Sequence, residues 1–304
     1  MKWTIPALAV LVGCLLVFHA AVPNTPGHLG SLLETYLPWL GLAVPILLAF
    51  ALPRRATAAL VALALPVAAW LALFGGSLLP DHPPAPDLTV VQHNVNDENP
   101  DPTGTARALL AAHADLVALE EVTLPAYDAA LAPAYPHHAV IGTVGLWSRF
   151  PLTDVRPVDI RPHDIGEGWS RGLRATATTP EGDIAVYVAH LPSVRLGPDG
   201  LRTTRRDESA ALLAAALAAE PIDRVILLGD LNSTVDDRGL APVRAGMSVP
   251  GTRFAFSWPA AFPVARIDQV MARSATVTEL WALPATTSDH VPIAAHVRLV
   301  TGGR

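Results

Sequence analysis

The chain has 304 residues, 51% of them hydrophobic and only 16% charged, with 21 basic against 27 acidic side chains and one cysteine. So low a charge content, at a mean hydropathy of +0.37, excludes a disordered or acidic-tail protein. A single cysteine excludes a disulfide framework and a cysteine-based zinc site.

Charge is spread unevenly. Residues 1–80 carry only Lys2, Glu34, Arg54 and Arg55 and contain three apolar runs, about 4–22, 31–52 and 56–79. At about 1.5 Å per helical residue each run approximates the ~30 Å of a bilayer core, so three transmembrane helices are expected. Uncharged runs of this length have no solvent-facing side, which argues against the buried helices of a soluble core. A cleaved signal peptide would explain the first run but not two more behind it. Lys2 and the Arg54-Arg55 pair place the amino terminus and the turn after the second run in the cytoplasm by the positive-inside rule. Three crossings then put everything after Leu79 outside a multi-pass cell-membrane protein. Residues 81–86 are a stiff, proline-rich linker, and 87–304 form a second domain long enough for one compact core.

Beyond the linker, strands and helices alternate. Leu88–Asn94 is apolar and β-branched and predicts a strand, Thr105–His113 a helix, and Asp115–Leu119 a short buried strand. Strands are expected over Ala139–Ser148, Ala175–Thr179 and Ile184–Ala189 and a helix over Asp207–Ala219. Strands over Arg224–Leu228, Ile267–Met271 and Val291–Leu299 complete a sheet-centred α/β domain.

Polar residues close one strand after another: Asn94 and Asn96, Glu120 and Glu121, His190, then Asp230 and Asn232. Each alone is an ordinary turn former or helix cap. Together, at strand ends where α/β sites assemble, they form a candidate site. In Gly229-Asp230-Leu231-Asn232 the acid and the amide are two apart and point the same way on an extended chain, so both reach one substrate atom. Ser288-Asp289-His290 sets an acid beside an imidazole, and Leu119-Glu120-Glu121 ends a buried strand in carboxylates.

In order along the chain, this set resembles the endonuclease/exonuclease/phosphatase superfamily, the metal-dependent phosphodiesterases related to pancreatic deoxyribonuclease. Trp147-Ser148-Arg149-Phe150-Pro151, Ala189-His190-Leu191 and Arg266-Ile267-Asp268 carry the rest of the likeness, which covers nearly all of residues 88–298. It implies two packed mixed β-sheets flanked by helices, a four-layer α/β sandwich. It implies Mg²⁺, with Mn²⁺ as a substitute, held by Glu121 with Asn94 and Asp289 assisting. Asp230 would position and deprotonate the attacking water, and Asn232 would hold that water or a phosphate oxygen. His290 would donate to a phosphate oxygen, oriented and kept protonated by Asp268, and His190 would make a second phosphate contact. Within the basic stretch Arg195, Arg202, Arg205 and Arg206, the resemblance offers Arg206 for a phosphate contact or for a helix-start role. Glu120 stands where the family has a glutamine. Neighbours on a strand face opposite ways, so either Glu120 or Glu121 faces the metal, and the motif favours Glu121. His93, His137 and His138 match no motif and are expected at the surface.

The expectation is a membrane-anchored, metal-dependent hydrolase of phosphate esters outside the cytoplasm, a phosphodiesterase or nuclease, with no protein partner called for. A phospholipid headgroup, as for a sphingomyelinase, or an inositol phosphate is the alternative substrate, because a shared fold does not choose one. Residues 81–304 hold 18 basic against 26 acidic side chains, so they lack the basic footprint of a tight duplex-DNA binder. A membrane-anchored binding module without chemistry would leave the joint presence of Asp230, Asn232, Asp268, Asp289 and His290 unexplained. A transport or sensing unit would have only Glu34 as an ionisable group within the membrane.

Overall fold

The computed structural model describes residues 3–25, 27–54, 56–78, 85–249 and 254–300, so most of the linker 81–86 lies outside the described residues. The chain divides into two compact units. The first is Met1–Pro80 with Leu196–Arg202 and Asp236–Arg238; the second is Asp81–Arg195 with Thr203–Val235 and Gly239–Arg304.

In the first unit the apolar runs form α1 (Thr4–Val17), α2 (Leu29–Thr35), α3 (Ala43–Ala51), α4 (Thr57–Ala62) and α5 (Ala64–Phe74). Ala9, Leu47 and Leu63 are buried against one another. Three spans are not supported. The helix α1 has 14 residues, about 21 Å long and short of a bilayer core. The second run breaks into Leu29–Thr35 and Leu37–Ala51, bent by 71°. Pro38 accounts for the break: it has no N–H to donate four residues back and its ring clashes with that carbonyl, so the helix stops and restarts with the proline in its first turn. Among the described residues, Thr57–Leu78 is the one helix, at 22 residues, long and apolar enough to cross a membrane; counting the bent pair makes two at most.

After the linker come β1 (Leu88–Asn94), α6 (Pro102–Leu110), β2 (Leu116–Glu120), α7 (Leu124–Leu131), β3 (His137–Ile141), β4 (Val144–Ser148), β5 (Leu152–Pro157), β6 (Gly172–Thr179) and β7 (Gly182–Ala189). A small hairpin, β8 (Arg195–Gly197) and β9 (Gly200–Arg202), precedes α8 (Thr204–Ala218), β10 (Val225–Asp230), α9 (Ala241–Arg244), β11 (Asp268–Arg273), β12 (Ala275–Ala282) and β13 (Ile293–Leu299). The strands build two mixed sheets, ordered β12-β13-β1-β2-β4-β3 and β11-β10-β7-β6-β5. Each contains one parallel pair, β1 with β2 and β7 with β10. The strand expected over Ala139–Ser148 is a hairpin, β3 and β4, turning at Gly142 with φ +59°.

Alternation of side chains along each strand makes the layers. Val90, Leu116, Ala118, Val186, Ile226, Leu228 and Val270 share one core between the sheets. Their odd-numbered neighbours on the first sheet, Val91, Val117 and Leu119, pack with Leu109 of α6 and Tyr127 of α7. On the second sheet, Ala185, Tyr187, Val225 and Leu227 pack with Leu213 of α8. This is the expected α/β sandwich.

The same period positions the polar residues. The row that faces inward is apolar until the ends of the parallel strands, where it continues as Gln92 and Asn94 on β1, Glu120 on β2, His190 beyond β7 and Asp230 on β10. The antiparallel strand β11 opens beside the end of β10, with Asp268 opposite Asp230. Likewise β13 opens beside the end of β1, with Ile293 opposite Gln92, and brings in the Ser288–His290 turn.

Candidate active site

Asp230, Asp268 and His290 form the centre. One ligand-capable atom from each lies within 4.8 Å of the others, and all three residues are buried. His290 Nδ1 and Asp268 Oδ2 are 2.8 Å apart, and Gln92 Nε2 donates to Asp268 Oδ1 at 3.0 Å. The far imidazole nitrogen, Nε2, lies 3.8 Å from Asp230 Oδ2. Burial opposes charge on this ring, but Asp268 and Asp230 outweigh it and raise its pKa to about 10; the ring is a cation at neutral pH. Burial also pushes the Asp268 carboxyl up, and the charge and hydrogen bond of His290 reverse this, holding it below the usual carboxylate range.

Asp230 behaves differently. Burial raises its pKa to about 7, an effect that His290 only partly offsets. It accepts from Asn94 Nδ2 at 3.1 Å, from the Asn232 backbone N–H at 2.9 Å and from Asn232 Nδ2 at 3.3 Å. Asn232 has φ +46°, a left-handed conformation that asparagine tolerates better than most residues, and its Nδ2 also donates to Leu191 O at 2.8 Å. Gly229 is needed for another reason: a Cβ there would overlap the Ala189 carbonyl oxygen on the neighbouring parallel strand. The spacing of Gly-Asp-Leu-Asn thus follows from sheet packing before any chemistry.

Both glutamates reach this edge of the sandwich. Glu120 is the last residue of β2, fully buried, and its carboxyl oxygen accepts from Gln92 Nε2 at 2.6 Å. Burial, with Asp268 and Asp230 adding to it, raises its pKa well above the usual value. A protonated glutamic acid has nearly the shape of glutamine, which is a physical reason for its standing in a glutamine's place. Glu121 has φ +56°, so the chain leaves the strand alternation there and the second side chain is not sent to the opposite face. Its Oε1 lies 3.8 Å from His190 Nε2, and its side chain is 28% exposed.

His190 is fully buried with Nε2 3.6 Å from Asp230 Oδ2. Burial, the Arg171 charge and the His290 charge lower its pKa well below the usual value, so this imidazole is neutral. Arg171 Nη1 is 3.2 Å from His190 Nδ1, and the guanidinium lies over the Trp169 ring at 5.3 Å. Sequence reasoning passed over both Arg171 and Gln92. Gln92 shares the inward face with Asn94 two residues later, and Arg171 immediately precedes β6, whose first residue pairs with the last of β7; these registers were the available signals.

The structure separates some expected partners. Asn94 is buried, while Asp289 is exposed and accepts from Asn96 Nδ2 at 3.3 Å; it is not part of the Asp230–Asp268–His290 group. Ser288 ties the turn down, donating to Asn94 O at 2.7 Å and accepting from the His290 N–H at 3.1 Å. His93, expected at the surface, is fully buried, its Nε2 3.0 Å from Thr286 Oγ1; burial lowers its pKa to about 3, so it is uncharged. Arg206 does not present itself to a phosphate. It is 1% exposed, with Nε donating to Asp207 Oδ1 at 2.7 Å and Nη1 to Asn232 O at 3.2 Å. Its place at the start of α8 makes it a brace for the Asn232 turn. Arg205 is exposed and donates to Asp164 at 2.9 Å.

These residues fit a hard divalent cation. Asn94, Glu121 and Asp230 offer oxygen donors. Burial drives both Glu120 and Asp230 toward the neutral acid; a bound cation reverses that tendency.

Two mixed sheets with acids, amides and imidazoles gathered at one edge define a hydrolase fold of the α/β-sandwich class. The profile of the Endonuclease/Exonuclease/phosphatase family matches residues 91–290, and the chain belongs to that family, whose members are typically hydrolases of phosphate esters. Solved structures of similar fold include humanized D. rerio TDP2 carrying 14 mutations, 21% identical over 69% of this chain and 98% of that one, with a TM-score of 0.58. The human Nocturnin catalytic domain is 15% identical over 72% of this chain and 96% of its own, at 0.58. Sphingomyelinase C from Streptomyces griseocarneus is 20% identical over 72% and 99%, at 0.53. At these identities the likeness is one of fold. Comparison with curated protein sequences gives no match.

Proposed function

We propose that this chain is a metal-dependent phosphodiesterase, anchored in the cell membrane and acting outside the cytoplasm. The observation that carries the chemistry is the buried Asp230–Asp268–His290 group, each within 4.8 Å of the others, with Glu121 and His190 alongside. Glu121, Asp230 and Asn94 would hold Mg²⁺ or Mn²⁺. Bound there, the ion supplies charge stabilisation for the phosphoryl oxygens and the leaving oxygen.

The side chains divide the remaining work. Asp230, aligned by Asn94 and Asn232, accepts the proton of the attacking water. Asn232 orients that water. Asp268 binds one imidazole nitrogen of His290, so the other presents its N–H to a non-bridging oxygen where charge builds in the transition state. Neutral His190 and the Arg171 guanidinium add donors on the same side.

The bent pair Leu29–Thr35 and Leu37–Ala51 and the helix Thr57–Leu78 supply the anchor as two spans, and Arg54-Arg55 between them assign their joining turn to the cytoplasm, leaving the residues ahead of Leu29 and the second unit outside. This attachment, together with the fold shared with a sphingomyelinase C, supports a phospholipid headgroup as the second substrate reading. The test uses the full chain in detergent with bis-p-nitrophenyl phosphate, DNA, RNA and sphingomyelin, each with Mg²⁺, Mn²⁺ or chelator. Asp230→Asn and His290→Ala are expected to lower metal-dependent turnover at least about 10²-fold. Unaltered turnover in both variants overturns the assignment. A reporter fused after Arg304 is expected to be active only outside the cytoplasm.

A further inference from the structure

Within the first unit, Arg238 is held on several sides. Its Nε and Nη2 donate to the two carboxylate oxygens of Glu34, both at 2.8 Å, and its backbone N–H donates to Glu34 Oε2 at 2.9 Å. Nη1 donates to Val22 O at 2.9 Å and Nη2 to His19 O at 3.1 Å. Glu34 is 2% exposed and is the single acid among residues 1–80. A lone carboxylate in so apolar a segment is costly unless paired, and a two-pronged arginine is its best partner.

Gly30 adds an independent observation. It lies in the first turn of α2, where the backbone is helical and open to any residue. A Cβ there would stand 2.5 Å from Arg238 Cζ and 2.6 Å from Nη2. Helix propensity favours alanine over glycine by about 1 kcal/mol, so the glycine serves the space beside it and not the helix. A second distant stretch is caught by the same region: Leu201 N–H donates to Gly27 O at 3.0 Å, and Gly200, at φ +103°, leaves no room for a side chain against Gly27.

We propose that His19, Val22, Gly30 and Glu34 form a guanidinium socket that captures the Asp236–Arg238 segment within the first unit. Gly30 provides the room, Glu34 the charge, and the His19 and Val22 carbonyls the remaining acceptors. In sequence the captured segment begins four residues after Asn232.

Amide hydrogen exchange over residues 234–240, measured on the full chain in detergent micelles, tests this without relying on turnover. Gly30→Ala is expected to accelerate exchange there at least about tenfold, as local opening becomes easier. The control is Gly75→Ala, whose new methyl meets only Leu71 at 3.7 Å; it is expected to leave exchange unchanged. Because Arg238→Ala removes the group that the methyl would strike, Gly30→Ala is expected to add nothing in that background. Parent-like exchange in Gly30→Ala, or additive effects in the double variant, overturns the socket. Where Gly30→Ala fails to fold, Glu34→Gln takes its place, with the same acceleration expected and parent-like exchange again counting against it. A chain lacking phosphodiesterase activity but showing this pattern would leave the socket standing and refute only the reading of the active site.

Discussion

Asp268→Asn should lower the pKa of His290 from about 10. In the parent the imidazole pKa is raised from 6.5 to about 10 with Asp268 2.8 Å away, a difference of roughly 5 kcal/mol between the two protonation states. Asparagine keeps the shape and removes the charge. A carboxylate at this distance shifts a partner by about 1–3 units, so the midpoint should fall to between about 7 and 9. Titration of the ring by NMR in the metal-free protein reads this directly. The rate profile should follow, with the alkaline limb moving to lower pH by a similar amount and turnover at pH 9 falling by about twofold to a hundredfold. The stability contributed by the pair is fully present below pH 6.5 and is lost as pH rises toward 10; the variant should show a smaller alkaline loss. A His290 midpoint within about half a unit of the parent would refute the electrostatic argument.

Glu120→Gln is expected to keep turnover within about threefold, because the protonated acid is already nearly isosteric with the amide. Since the folded pKa of Glu120 is raised, folding is penalised as pH climbs above its unfolded value; the variant should therefore melt higher at pH 8, by more than about 2 °C, and not at pH 4. Glu121→Gln is expected to weaken activation by Mg²⁺ at least about tenfold in a metal titration, and chelation should abolish turnover in the parent. Glu220 is held at about 2, burial being outweighed by Arg174, the Ile222 N–H and Tyr187. Its contribution, about 3 kcal/mol at most, is present above pH 4.5 and is lost as pH falls toward 2. Acid denaturation of Glu220→Gln should accordingly be flatter over that interval than in the parent.

Much of the sandwich was legible from local pattern. Leu88–Asn94 is observed with its expected bounds, because an apolar β-branched stretch ending in polar residues has one plausible conformation. The strands Leu152–Pro157 and Ala275–Ala282 were not anticipated; both lie at sheet edges, the first almost wholly exposed and the second only partly buried, so their apolar signal is weaker than that of a central strand. Hydropathy found the apolar runs but not the break at Pro38. In the candidate site, residue types at strand ends marked where to look. The family resemblance supplied the pairing of Asp268 with His290, which is observed at 2.8 Å; what the sequence did not disclose was the neutral state of Glu120 and His190, the inward turn of Arg206 and the approach of Arg171. Those properties belong to the field and the solvent exclusion created by residues far apart in the chain. A strand's own sequence determines which side chains share a face. Their charge, and the partner each one meets, depends on which distant strand the sheet lays beside it.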